Sequence, residues 1–151
     1  MSNQHPPLEP VPLPALLRHA RTTYGSAMRA ALVKAGYTDI PKNGLYVIGG
    51  LALEGERPLS ALIDDLEISK QAAGQLVDAL VERGYLEREV DAEDRRRLTI
   101  SLSARGRAAA KVQTVAREKI DTELLARVGE RSVAAARRAL FALIEIRREA
   151  R

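Results

Sequence analysis

The chain has 151 residues, 46% of them apolar, with a formal net charge of +4 and a pI near 9.7. That is enough for one domain with a real core, which excludes wholesale disorder, and the basic balance leaves room for an anionic partner. Cysteine is absent, which removes disulfides, thiolate metal sites and thiol redox switches, and no apolar run approaches the length of a membrane span.

Residues 1–12 carry Pro6, Pro7, Pro10 and Pro12, a composition that predicts an extended, disordered arm. The start of the chain lacks the basic-then-apolar pattern of an export signal, so a cytoplasmic location is expected. From Leu13 to Lys34 apolar residues recur at helical spacing, and Gly36 ends that helix. Pro41 is placed at the first position of a second helix, which passes through Leu45, Ile48 and Ala52 and stops near Gly55.

Pro58-Leu59 reads as a bridge strand. Ser60 is then the expected cap of a short helix, Ala61 to Leu66, with Leu62, Ile63 and Leu66 inward. After a tight turn at Glu67-Ile68, Ser69 caps the next helix, whose expected buried stripe is Ala72, Ala73, Leu76, Leu80 and Val81. Two caps nine residues apart, on two short helices, are the spacing of a helix-turn-helix.

Gly84 closes that pair, and two apolar-polar alternations follow: Tyr85-Leu86-Glu87-Arg88 and Leu98-Thr99-Ile100-Ser101-Leu102. Between them lies Asp94-Arg95-Arg96-Arg97. Two strands with a charged loop behind a helix pair make a wing, and arginines at its tip are placed to meet phosphates or enter a minor groove. Strand alternation would put Arg95 and Arg97 on one face and Arg96 on the other, and Asp94 is expected to pair with Arg95 or Arg96.

Ser103 caps a long helix carrying Ala108, Val112, Val115, Lys119, Ile120, Leu124 and Val128. From Ala104 to Val128 it would extend about 37 Å. Gly129 breaks it, and a final helix from about Ser132 carries Val133, Ala136, Leu140, Leu143 and Ile144. The chain ends hold more apolar stripe than one protomer can cover, so dimerisation through them is expected.

On the helix after Ser69, the outward face holds Lys70, Gln71, Gly74, Gln75 and Asp78. Glutamine and lysine reach base edges in a major groove, and Ser60 and Ser69 can donate to phosphates. The same residues also suit a plain solvated face; the capped pair and the arginine wing favour recognition. The aromatics Tyr24, Tyr37, Tyr46, Tyr85 and Phe141 are too few for the stacking platforms of single-strand binders, which narrows the partner to duplex DNA. The DNA-binding set is therefore Ser60, Ser69, Lys70, Gln71, Gln75, Asp94, Arg95 and Arg96.

The run from Ile68 to Gly106 resembles the MarR family of bacterial transcription regulators. It is carried by Ile68-Ser69-Lys70-Gln71-Ala72, Leu76-Val77-Asp78, Glu82-Arg83-Gly84-Tyr85-Leu86-Glu87-Arg88, Asp94-Arg95-Arg96 and Leu102-Ser103-Ala104-Arg105-Gly106. With the flanking helices, the resemblance covers about Leu13 to Arg148. Glu67 departs from the Gly or Asn common in that turn, and Ser103 replaces the more usual Thr.

The resemblance implies a mainly α fold with a small β-wing, a winged helix-turn-helix flanked by N- and C-terminal dimerisation helices. Its expected layout is a single MarR-like domain over 13–151, with the winged core at about 41–103 and dimerisation helices at about 13–36 and 104–149. It implies a triangular homodimer on a pseudo-palindromic operator, a repressor relieved by a small aromatic or acidic ligand. By position His19, Tyr24, Met28 and Tyr46 would line the ligand pocket, or serve simply as core and interface residues. Only His5 and His19 are present, so no zinc site is supported.

An enzyme is not expected. The sequence has no nucleophile elbow or phosphate-binding glycine loop, Gly49-Gly50 lacks the context of a dinucleotide site, and Asp64-Asp65 sit on adjacent helix positions that do not face each other. No cofactor, metal or membrane contact is expected. The rival readings are a sequence-indifferent architectural DNA binder and a winged-helix module for protein contacts.

Overall fold

The computed structural model describes residues 10–151. Most of the proline-rich arm expected at 1–12 lies outside the described residues, and only Pro10, Val11 and Pro12 precede the first helix. That helix, α1, spans Leu13–Lys34. Gly36, at φ 93°, turns the chain out of it, a conformation that costs other residues a clash at Cβ.

Helix α2 spans Gly44–Glu54, three residues later than Pro41 suggested. The Gly44 N–H donates to the Pro41 carbonyl at 2.8 Å, so Pro41 opens a turn instead of the helix. Gly44 is needed where it stands: a Cβ there would come within 3.0 Å of Ile40 and of Leu80. Strand β1, Arg57–Pro58, and helix α3, Leu59–Asp65, follow without a linker.

Here two expectations change. The strand is Arg57–Pro58 rather than Pro58-Leu59, and Ser60 is not a cap but an exposed residue inside the first turn. Pro58 explains both. Its φ of −56° already suits a helix entry, and it is paired to a neighbouring strand, so the helix begins at once.

Helix α4 spans Lys70–Glu82, and the Ser69 Oγ accepts from the Ala72 N–H at 3.1 Å, as a cap should. Its fully buried residues are Ala73, Val77 and Leu80; Leu76 and Val81 are half-buried and Ala72 is exposed. The inward stripe thus runs through Val77, not Ala72, because alanine fits either face and gives no side-chain signal.

Strands β2, Leu86–Val90, and β3, Leu98–Leu102, pair antiparallel with Leu86 opposite Leu102 and Val90 opposite Leu98. Strand β1 joins the other edge of β3, giving the order β1-β3-β2. Ile100 at the centre of β3 is fully buried. It completes a core shared with Leu32, Leu45, Ile48, Val77, Leu80 and Tyr85.

Helix α5 spans Ala104–Glu149, interrupted at Gly129, where φ 79° and ψ 164° leave the helical region. Its start is fixed by Ser103. The Ser103 Oγ accepts from the Gly106 N–H at 3.0 Å and donates to the Gly84 carbonyl. A Cβ on Gly106 would stand 2.0 Å from the Tyr85 carbonyl oxygen, so only glycine admits this approach. The buried positions of α5 are Gly106, Ala109, Ala110, Gln113 and Ala116; Ala108, expected inward, is exposed. Small residues are what this crowded crossing tolerates. The chain divides into one unit reaching Ala116 and a second, Arg117–Arg151.

Candidate nucleic-acid interface

Helix α4 has two faces. At about 100° per residue, Gln71 lies roughly 200° from Ala73, and Gln75 the same from Val77. Both glutamines are exposed and stand opposite the buried stripe; Lys70 lies on the side of Ala73 and Val77 by angle and is exposed because it starts the helix, so all three side chains are free to reach base edges. Gly74 is half-buried between them with nothing near where its Cβ would be. Asp78, one turn on, forms an ion pair with Arg88 of β2. That bond ties the helix to the wing and offsets an acid that would otherwise face an anionic partner.

The wing tip is built from backbone bonds. The Asp91 N–H donates to the Arg97 carbonyl and the Arg97 N–H to the Asp94 carbonyl, both at 2.9 Å. The two acids shape the loop: Asp91 Oδ1 accepts from the Glu93 N–H at 2.9 Å, and Asp94 Oδ1 from the Arg96 N–H at 3.0 Å. These are side-chain-capped turns. Two expectations are corrected by this. Asp94 holds the Arg96 backbone, not a guanidinium, and Arg95–Arg97 precede β3, so strand alternation does not sort them. Arg95, Arg96 and Arg97 are all exposed, and among the described residues none of the three forms an ion pair with an acid.

Beneath the wing lies a polar knot that the sequence did not disclose. The Tyr85 hydroxyl donates to Asp39 Oδ1, and Arg105 reaches the same oxygen at 3.2 Å while its guanidinium covers the Tyr85 ring at 4.3 Å. Arg83 donates to the Asp39 carbonyl, and Arg105 to the Arg83 carbonyl. The hydroxyl bond from Tyr85 lowers the Asp39 pKa, opposed by partial burial and helped by Arg105. Burial, followed by the bond to Asp39, pushes the Tyr85 hydroxyl up to about 12. The knot joins the loop before α2, the end of α4 and the start of α5, and so fixes how the α4 helix leaves the core.

The four residues expected at a ligand pocket lie on α1 and α2. His19 is exposed, Tyr24 is half-buried, and Met28 packs against the hydrophobic core. Tyr46 sits under the Arg21 guanidinium, 4.2 Å from its ring centre. A larger cavity of about 670 Å³ lies elsewhere, lined by Leu51, Ala52, Leu102, Ala110 and Val115 with Arg107 and Lys111 beside them. No trio of potential metal ligands occurs among the described residues. No helix of the described residues is long and apolar enough to cross a membrane.

Residues 38–97 match the model of the MarR family. The matched stretch runs from the loop before α2 to the wing tip. The solved structures agree in fold. A MarR transcriptional regulator from Methanosarcina mazei is 17% identical, with a TM-score of 0.76 over 92% of this chain and 98% of its own. FabT of Streptococcus pneumoniae, in complex with DNA, is 16% identical with a TM-score of 0.75 over 92% and 97%. A mutant MarR from E. coli complexed with operator DNA is 20% identical with a TM-score of 0.69 over 89% and 95%. No curated protein matches the chain. The MarR fold is mainly helical with a small antiparallel wing, and that is the architecture found here.

Proposed function

We propose that this chain is a homodimeric, non-enzymatic transcription regulator that reads duplex DNA in the cytoplasm. Lys70, Gln71 and Gln75 read bases from a major groove, Ser69 donates to phosphate at the helix start, and Arg95 and Arg96 grip DNA from the wing. Ser60 adds a phosphate contact from the first turn of α3. The observation that carries the reading is the pairing of an exposed, base-competent face on a capped helix with a hydrogen-bonded wing tip whose arginines have no acid partner among the described residues. Two proteins of the same fold, FabT and a mutant MarR, have been solved with DNA, which supports it.

The dimer is supported by apolar side chains that one chain leaves uncovered. In the second unit Leu140 is 42% exposed, Phe141 55% and Ile146 61%. Repression relieved by a small ligand is the proposed control. The 670 Å³ cavity suits a small amphipathic acid better than the set His19, Tyr24, Met28 and Tyr46, since its apolar floor lies beside two cations, Arg107 and Lys111, against one acid, Glu56.

A footprint on the DNA upstream of the protein's own coding region tests this reading. Two protected half-sites related by a two-fold axis are expected. Uniform protection of any duplex would mean an architectural binder, and no protection would mean that the winged helix serves another partner.

A further inference from the structure

Beside the turn that leads into α4 lies a second basic surface, away from the wing. Two adjoining hollows, of about 260 and 220 Å³, share Asn43 and Tyr46. Arg21, Leu66, Glu67 and Ile68 complete the first; Arg29 and Lys42 border the second. Three cations thus meet one acid, Glu67, within reach of a tyrosine hydroxyl and a side-chain amide. Asn43 stands at the cap position of α2 without using its side chain as a cap.

The surface is built, not incidental. The Arg29 guanidinium donates to the Lys42 carbonyl, which holds the loop carrying Lys42 and Asn43 against α1. The Arg21 guanidinium sits over the Tyr46 ring, which holds the side chain beside the hollow while it stays exposed. Tyr46 approaches α1 so closely that a Cβ on Gly25 would come within 2.6 Å of its hydroxyl. Lys42 is exposed and has no acidic partner among the described residues.

We propose that Arg21, Lys42, Asn43 and Tyr46 form a phosphodiester clamp for the same duplex that α4 reads. This rests on the DNA-binding function proposed above and extends it. The turn Leu66–Ile68 that borders the clamp runs directly into α4, whereas the wing strands leave from the other end of that helix. A duplex lying along α4 therefore meets cations at both ends of the helix: the wing arginines at one and this cluster at the other. A clamp of this kind sets register without reading sequence.

The test is a salt titration of the full-length protein on the protected upstream site and on a random-sequence duplex. Lys42→Gln is expected to lose about 5- to 10-fold in affinity on both, with the log-log salt slope reduced by about one unit. Arg21→Gln is expected to behave alike, and the double variant to lose about two units of slope. Lys119→Gln, which removes the same charge from the second unit, is expected to keep the wild-type slope. Unchanged affinity and slope in both clamp variants, while the wild type binds, would overturn the clamp alone. Equal loss in Lys119→Gln would reduce the effect to net charge and overturn it too. Failure of the wild type to bind either duplex would instead remove the DNA-binding reading, and the clamp with it.

Discussion

Leu80, Tyr85 and Ile100 expose none of their surface, whereas Leu124, Leu140 and Phe141 expose 39%, 42% and 55%. The first group belongs to the unit reaching Ala116 and the second to Arg117–Arg151, where no residue is buried. Both stretches carry a pattern of apolar residues, yet only the first satisfies its pattern within the chain. The first unit folds around its own core, and the second carries an amphipathic pattern that needs a second surface. Stability is therefore written in the first part of the sequence and the proposed assembly in the second, and each can be disturbed separately.

The sharpest separation comes from two glycines. Gly106→Ala places a methyl against the Tyr85 carbonyl and should cost about 3 kcal/mol, read as a shifted midpoint in denaturant unfolding. Gly129→Ala meets nothing within 4 Å and pays only for a backbone, φ 79° and ψ 164°, that is essentially confined to glycine, roughly 2 kcal/mol. Equal losses at the two sites would erase the contrast between a packed crossing and an open break.

Deleting residues 131–151 attacks the comparison from the other side. The first unit should keep its unfolding midpoint, while the protein becomes monomeric or aggregates and loses about 100-fold in site affinity as two linked half-sites become one. Sedimentation and DNA titration together measure this. A well-behaved truncated monomer that binds as tightly as the full chain would show that the uncovered apolar surface has no part in assembly.

The knot at Tyr85 gives the first unit a pH signature. A tyrosine whose pKa is raised in the folded state adds stability that is complete below its unfolded value. That stability is lost as the pH rises from 10.0 towards about 12. Wild-type stability should fall across that window, and Tyr85→Phe should flatten the fall. Asp39 works in the opposite direction. Its lowered pKa adds stability above the ordinary value of 3.8 that is lost as the pH falls through its folded value, and Asp39→Asn should remove this acid limb. Because burial is the first cause at Tyr85, most of the alkaline fall should survive in Asp39→Asn.

How far these features were legible in the sequence follows the range of the chemistry. Ser69, Gly36, Gly84 and Gly129 act on their own few residues, and the helix ends they mark are where local rules place them. The start of α3 was displaced because Pro58 answers to Thr99 on a distant strand. The inward choice between Ala72 and Val77 depends on what α4 packs against, which periodicity alone leaves open. The knot of Asp39 with Tyr85 and Arg105 bridges separations of 46 and 66 residues, and no local pattern announces it. The wing acids were visible as residues but not as roles, since an aspartate before arginines reads equally as an ion-pair partner or a turn former.

That ambiguity sets the smallest predicted effect. Asn can accept the Arg96 N–H as Asp94 does, so Asp94→Asn should keep the turn and bind DNA as well as wild type or slightly better, by less than about 1 kcal/mol. Asp94→Ala removes the acceptor and should weaken binding. Salt titrations of both variants distinguish turn formation from charge pairing, because weaker binding by Asp94→Asn would restore a guanidinium partner.

The central claim is that the exposed face of α4 reads bases. Wild type and Gln71→Ala titrated against the protected upstream site and a scrambled duplex of equal length, at one salt concentration, test it most directly. The predicted result is a loss on the order of 1–3 kcal/mol on the site alone, with scrambled DNA bound equally by both proteins. An equal loss on both duplexes, or none on either, would contradict base reading by this helix.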